Sequence, residues 1–113
     1  LGVCEYIGLD LSQIQNEASM PDSYYLLQNY PNPFNSTTTL RYDLAGHSNV
    51  NIIIYDMLGR EVKTLINQTQ DTGFKSIQWD GTNDYGKQVS AGVYLYRIQA
   101  GEYMQTKKMV FLK

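Results

Sequence analysis

The sequence contains little of the chemistry on which enzymes and metalloproteins depend. Its 113 residues include one cysteine, one histidine and one tryptophan. Because Cys4 is alone, it forms no internal disulfide, and a metal cluster built on cysteines is excluded. We interpret Cys4 as an unpaired thiol in a tail, in preference to a reactive or intermolecular thiol. Its presence does not identify the compartment of the protein.

Positive charge is also scarce. Nine Lys and Arg residues stand against eleven Asp and Glu residues, which gives a formal net charge of −2. Proteins that bind nucleic acids or anionic membrane surfaces need an excess of basic residues, so the sequence predicts neither activity. The apolar run Ile52–Ile54 is far too short to span a membrane. Leu1 is not followed by the charged and apolar regions of a signal peptide, so we expect further sequence upstream.

The chain does contain many residues that favour β-strands, including ten tyrosines. From Tyr24 onward, apolar and polar residues alternate, as in strands with one face in a core. Leu40, Tyr42 and Leu44 are one such set. The set Val50, Ile52 and Ile54 predicts a central strand, because the other face of this segment is also partly apolar. The predicted strands cover residues 25–28, 39–44, 50–55, 61–66, 75–79, 93–100 and 103–112.

These segments predict an all-β fold. About seven short strands at regular spacing are typical of a sandwich, and hairpins without crossover helices predict antiparallel sheets. Gly59 is expected to supply a positive φ in the turn before the fourth strand, and residues 67–72 are predicted to form a loop. Residues 1–23 are interpreted as a linker or the tail of a preceding domain, whose last strand is 8–12 in the second case. Residues 24–113 form the predicted domain.

One cluster of polar residues and the single histidine are the candidate sites of chemistry. Asp80, Thr82 and Asp84 offer oxygen ligands on a tight turn, which is a weak indication of a calcium site. We favour a structural turn, because the glycine and glutamate that a calcium loop needs are absent. His47 lies in a predicted turn without an evident partner, and we interpret it as a solvated side chain. No catalytic constellation or cofactor site is predicted.

Five segments occur in a fixed order: NYPNPFN, TTTLRYDL, VNIIIYDMLGREV, WDGTNDYGKQVSAGVYLYRI and KKMVFLK. Together they resemble the type A C-terminal sorting domain of bacterial type IX secretion cargo. They also resemble the immunoglobulin-like module of the flagellar hook-cap protein, to which that family is similar in fold. The resemblance covers residues 25–113 and implies an immunoglobulin-like β-sandwich. Ser36 stands where the family often has a proline, which loosens this segment slightly.

The resemblance implies a function that is not enzymatic. In that family the domain follows an unrelated cargo protein and is recognised by the outer-membrane secretion machinery. A sortase-like protease then removes it and attaches the cargo to surface lipopolysaccharide. The implied location is the periplasm in transit, and then the cell surface or the medium. We expect cleavage within residues 1–24, because a protease can enter an unfolded linker.

The family's strongest marks carry over to twelve positions before the last strand. They are Pro31, Asn32, Pro33, Phe34, Asp56, Gly59, Arg60, Trp79, Asp80, Gly81, Gly92 and Tyr94. For most of them we prefer a structural role, since proline restricts φ, glycine permits positive φ and tryptophan fills a core.

The terminal strand alternates poorly, and we predict that it is the part recognised by the secretion machinery. The predicted recognition residues are Lys107, Lys108, Met109, Val110, Phe111, Leu112 and Lys113. Such a strand can recruit an extended partner, or a second copy of the chain, at a sheet edge. Alternatively, its lysines only guard the edge against unwanted pairing.

Two other functions remain open from the residues alone. The domain could brace an adjacent catalytic domain. It could also bind carbohydrate through an exposed patch of tyrosines, for which Tyr24, Tyr25, Tyr85 and Tyr103 are the candidates. Tyr94 and Tyr96 are instead expected in the core.

Overall fold

The computed structural model describes residues 20–112 and contains two antiparallel sheets within that range. Cys4, residues 8–12 and Lys113 lie outside the described residues. The strands are β1 (Tyr25–Leu26), β2 (Thr38–Leu44), β3 (Ser48–Tyr55), β4 (Glu61–Gln70), β5 (Gly73–Trp79), β6 (Gly92–Ala100) and β7 (Tyr103–Phe111). One sheet has the order β1-β2-β5 and the other β4-β3-β6-β7. The prediction of an all-β antiparallel sandwich of about seven strands is confirmed.

The described part of the chain contains no helix long and apolar enough to cross a membrane.

The core lies between the two sheets and is filled by the alternating apolar residues of their inner faces. On β2, Leu40, Tyr42 and Leu44 are buried, whereas Arg41 between them is exposed, as the alternation predicted. The same pattern holds on β3 and β6. The other buried apolar side chains are Leu26, Phe34, Val50, Ile52, Ile54, Trp79, Tyr94, Tyr96, Ile98, Ala100, Met109 and Phe111. Burial of one such large side chain contributes about 1.5–3 kcal/mol, so this core is the main source of stability.

Strand β3 lies inside the four-stranded sheet, between β4 and β6, which confirms the prediction of a central strand. Its outward-facing Ile53 and Tyr55 are half-buried, because neighbouring strands flank it on both sides. Register shifts next to Ile53 and Tyr55 interrupt the pairing with β4. Such irregularities increase the local twist and are common at sheet edges, where β4 lies.

The predicted loop at 67–72 was wrong. Strand β4 continues to Gln70, where Asn67 pairs with Asn51 and Gln70 with Ser48. The physical reason is that β4 is an edge strand with exposed or half-buried residues throughout, so its polar end carries no alternation of apolar residues. The turn is limited to Asp71 and Thr72. The first strand is shorter than predicted and ends at Leu26.

Candidate functional site: the edge of the last strand

The segment Asn29–Asn35, here called the proline heptad, lies against the outer edge of β7. Phe34 forms a parallel bridge with Phe111. Its N–H donates to the carbonyl of Val110 at 3.0 Å, and its own carbonyl accepts from the N–H of Leu112 at 2.7 Å. The heptad therefore adds one strand-like residue to the four-stranded sheet, and the two ends of the predicted domain meet there.

Two side chains that precede Phe34 in the chain strengthen this contact. The Oδ1 atom of Asn32 accepts the N–H of Val110 at 3.0 Å. The Nε2 atom of Gln28 donates to the carbonyl of Lys108 at 2.8 Å. At a sheet edge, the outward backbone groups of β7 would lack partners. From the carbonyl of Lys108 to the N–H of Leu112, these groups are hydrogen-bonded.

Aromatic rings close the same end of the core. The rings of Phe34 and Phe111 stack with centroids 4.8 Å apart, and Trp79 lies 5.7 Å from Phe34 and 6.1 Å from Phe111. Tyr94 meets Trp79 edge-on at 5.5 Å. Gly81 completes the cluster, because a Cβ atom at that position would lie 2.7 Å from the Phe111 ring. Several family-marked positions thus have one explanation, which is packing around Phe111.

The heptad is also anchored to the body of the domain by buried hydrogen bonds. The hydroxyl of Tyr96 accepts the N–H of Asn29 at 2.8 Å and donates to the carbonyl of Leu27 at 2.9 Å. The Nδ2 atom of Asn29 donates to Thr38 Oγ1 at 2.9 Å, and that hydroxyl donates to the carbonyl of Pro31 at 2.8 Å. Burial raises the pKa of Tyr96 to about 12. The peptide bonds before Pro31 and Pro33 are both cis.

The predicted recognition residues differ in their accessibility. Met109 and Phe111 are at most 1% exposed and belong to the core. Lys107 and Val110 are half-buried, and Lys108 and Leu112 are exposed. Among the predicted recognition residues that the structure describes, a partner of the folded domain therefore reaches only Lys107, Lys108, Val110 and Leu112. Their role in recognition stays a prediction.

The turn between β3 and β4 is held by one carboxylate. Oδ1 of Asp56 accepts the N–H groups of Leu58 and Arg60, both at 2.9 Å, and Oδ2 accepts Nε of Arg60 at 2.8 Å. The backbone N–H of Arg60 is the main cause that lowers the pKa of Asp56. Gly59 has a φ of 83°, as the turn prediction requires. These contacts fit a structural role for Asp56, Gly59 and Arg60.

The carboxylates of Asp80 and Asp84, in the turn after β5, also accept hydrogen bonds from backbone N–H groups. Oδ1 of Asp80 accepts the N–H and the hydroxyl of Thr82, at 3.2 and 2.6 Å, and the hydroxyl bond is the main cause that lowers the pKa of Asp80. Oδ1 of Asp84 accepts the N–H of Thr64 at 3.1 Å, while its own N–H donates to Val62. Within residues 20–112, no three His, Cys, Asp or Glu side chains are grouped so as to hold a metal ion. An Asx turn accounts for Asp80, whereas the Asp84 carboxylate holds the backbone of β4 at Thr64.

The four tyrosines predicted as one patch are divided between different places. Tyr24 and Tyr103 stack at 5.7 Å and pack against the core. Tyr25 is 55% exposed and pairs with Asp43 near the end of β2. Tyr85 is 88% exposed and follows β5, whose last residue, Trp79, pairs with Thr38 at the start of β2. They cannot form one surface, because the two exposed rings lie toward opposite ends of this sheet.

His47 has a partner that sequence analysis did not provide. Its Nδ1 atom lies 2.7 Å from Oδ1 of Asp71. Both side chains are largely exposed, and the pair joins the two loops at the Ser48–Gln70 end of the β3–β4 ladder. An exposed pair of this kind contributes little to stability.

Sequence analysis missed the residues that join the heptad to the rest of the domain, chiefly Gln28, Asn29 and Thr38. They are polar residues next to a proline-rich segment and carry no periodic pattern. One signal was present: Phe34 is a large apolar residue directly after two prolines, which indicates that the heptad has a buried contact.

Comparison with known proteins identifies the family. The FlgD Ig-like domain model matches residues 32–103. The chain belongs to this family. It is similar to dimeric latent PorU from Porphyromonas gingivalis, with 28% identity and a TM-score of 0.62 over 77% of this chain. It is also similar in fold to PorZ, an essential bacterial surface component of the type IX secretion system of the same organism, with 17% identity and a TM-score of 0.51 over 81% of this chain. The chain spans only 9% and 12% of those two proteins. No curated protein matches its sequence.

Proposed function

We propose that this domain is a non-catalytic sorting domain, which directs an upstream cargo protein through the type IX secretion system to the cell surface or the medium. The observation that carries the proposal is the joint between the proline heptad and β7. The family-marked residues Phe34, Trp79 and Gly81 pack on Phe111, and Lys107 and Lys108 lie beside an accessible edge. The similarity to PorU and PorZ supports a link with this secretion system.

The recognised signal is a folded surface and not a linear C-terminal peptide. A peptide signal would present all of its side chains, but Met109 and Phe111 are fully occupied by the core. The surface available to the secretion machinery consists of Lys107, Lys108, Val110 and Leu112, and the heptad that borders them. A sortase-like protease would then cut upstream of Tyr24.

A reporter fusion tests the proposal. Residues 24–113 are placed behind an exported reporter protein in a bacterium that has the type IX system. We expect the reporter outside the outer membrane, and its retention in the periplasm would refute the proposal. Deletion of 107–113 is a poor test, because it also removes core residues. The substitutions Lys108→Ala and Leu112→Ser should reduce export without loss of folding, whereas Leu58→Ser, at another exposed apolar residue, should not.

Carbohydrate binding is a second candidate, for a different surface from the one first predicted. Tyr25, Asp43 and Phe74 are direct neighbours across the three strands of the smaller sheet, and both rings are more than half exposed. Asp43 and Phe74 also line an open depression of about 330 Å³ together with Arg41. Aromatic rings beside polar groups suit a sugar ring. Titration with neutral oligosaccharides tests this, with Phe74→Ala expected to abolish any binding and Tyr85→Ala as the control.

A further inference from the structure

The outer edge of β7 is divided into a closed part and an open part. The N–H and C=O of Val110 and the C=O of Lys108 bond to residues outside the β6–β7 ladder. In an antiparallel strand, the backbone groups of every second residue point to the same side. The N–H and C=O of Met104 and Thr106 therefore also point away from β6.

No bond closes the first part of this edge. Among residues 20–112, no hydrogen bond satisfies the outward groups of Met104 and Thr106 or the N–H of Lys108. The side chain of Met104 is 51% exposed, and Gln105 and Thr106 are exposed as well. An open row of backbone groups is a template for pairing with another strand.

The charge at the Lys107–Lys108 end of this open row is positive. Strand β7 carries Lys107 and Lys108 and no carboxylate. On the neighbouring strand, Arg97 pairs with Thr106 in the ladder, and its guanidinium donates to the neutral hydroxyl of Tyr55 at 2.6 Å. Three cations thus surround an edge in a chain whose net charge is −2. A second copy of β7 paired in parallel and in register would bring lysines against lysines, which disfavours that pairing between two copies.

We propose that the open part of β7 binds an extended acidic segment of a partner protein, which adds to the sheet as a further strand beside Met104–Lys108. This inference deepens the proposed function and rests on it, because the partner is then a component of the secretion machinery. The backbone of β7 provides the affinity and its three cationic neighbours select the acidic sequence.

Amide hydrogen exchange of the full chain tests the proposal. The probes are a synthetic peptide of alternating Glu and Val and a matched peptide of alternating Lys and Val. At ten times its Kd, the acidic peptide should slow exchange at Met104, Thr106 and Lys108 by about tenfold, and the basic peptide should not. Unchanged exchange, or equal protection by both peptides, would overturn the proposal. Protection that rises with protein concentration alone would also overturn it, in favour of a second copy as the occupant.

Two variants separate binding from folding. Thr106→Pro removes one outward N–H, and because that group does not bond to β6, the ladder is kept. It should abolish protection by the peptide without changing the melting temperature. If this variant does not fold, the pair Lys107→Gln and Lys108→Gln should still lower the affinity severalfold, with Lys63→Gln as the control. Export of the Thr106→Pro reporter fusion at the parent level would overturn this inference alone, whereas failure of the parent fusion would overturn the proposed function.

Discussion

The ring of Phe34 stacks on the ring of Phe111 at 4.8 Å, and the backbones of the same two residues form a parallel bridge. This contact joins the first family-marked segment of the chain to its last strand. Both side chains are buried, so the contact is part of the core as well as a closure of the sheet edge. The stability of the domain and the shape of its edge therefore depend on the same residues.

The first prediction concerns the contribution of Phe34 to stability. Phe34→Ala leaves a cavity between Phe111 and Trp79, and it should lower the free energy of unfolding by about 3–5 kcal/mol in urea titrations. Tyr30→Ala is the matched control, because this heptad residue is 72% exposed. It should change stability by less than about 0.5 kcal/mol. Equal losses in the two variants would show that the buried ring is not what anchors the heptad.

The second prediction concerns the hydrogen bond from the Val110 N–H of β7 to the Asn32 side chain of the heptad. Asn32→Ala removes the acceptor of the Val110 N–H and should cost about 1 kcal/mol. Hydrogen exchange of the Val110 amide should become faster, since that group then faces water. Asn35→Ala serves as the control, as Asn35 is an exposed residue of the same heptad. Unaltered exchange at Val110 would contradict the assigned bond.

The alternation of apolar and polar residues was enough to predict the sandwich and most of its core. Leu40, Tyr42 and Leu44 were assigned to the correct face because alternation directly reports burial on one side of a strand. The polar end of β4 was missed because neither face of this edge strand is fully buried, so its residues do not alternate between apolar and polar.

The joint at Phe111 could not be predicted in the same way. The heptad forms no regular strand, and its contacts depend on backbone groups and on Asn32 and Asn29, whose partners lie far along the chain. The resemblance marked Asn32 and Phe34 as important without giving a reason. Sequence reasoning also assigned recognition to all of the residues 107–113, because it could not separate the buried Met109 from the exposed Lys108.

The third prediction separates backbone strain from close packing at Gly81. Gly81 and Gly86 have nearly equal φ values, 78° and 79°, but only Gly81 lies against Phe111. Gly86→Ala should cost about 1–2 kcal/mol, which is the penalty for a left-handed residue with a Cβ atom. Gly81→Ala should cost a further 1–3 kcal/mol, approximately, because the Phe111 ring must move. Thermal or urea unfolding gives both values, and equal losses would contradict the packing role.

The fourth prediction concerns the alkaline limit of stability. The folded-state pKa of Tyr96 is about 12, above its ordinary value of 10.0, because burial disfavours the phenolate. The folded state therefore holds this proton more tightly than the unfolded state. The resulting contribution is fully present below pH 10 and is lost as the pH rises through about 12. Two pKa units correspond to about 2–3 kcal/mol.

Tyr96→Phe tests this linkage. At pH 8 the variant should lose about 1–3 kcal/mol, because the N–H of Asn29 then lacks its acceptor. Between pH 10 and 12 its free energy of unfolding should fall less steeply than that of the parent, since one titrating group is gone. Some slope should remain, because burial also raises the pKa of Tyr42 and Tyr94. Urea titrations at a series of pH values give both quantities. Parallel curves for parent and variant across this range would contradict the role assigned to the buried hydroxyl.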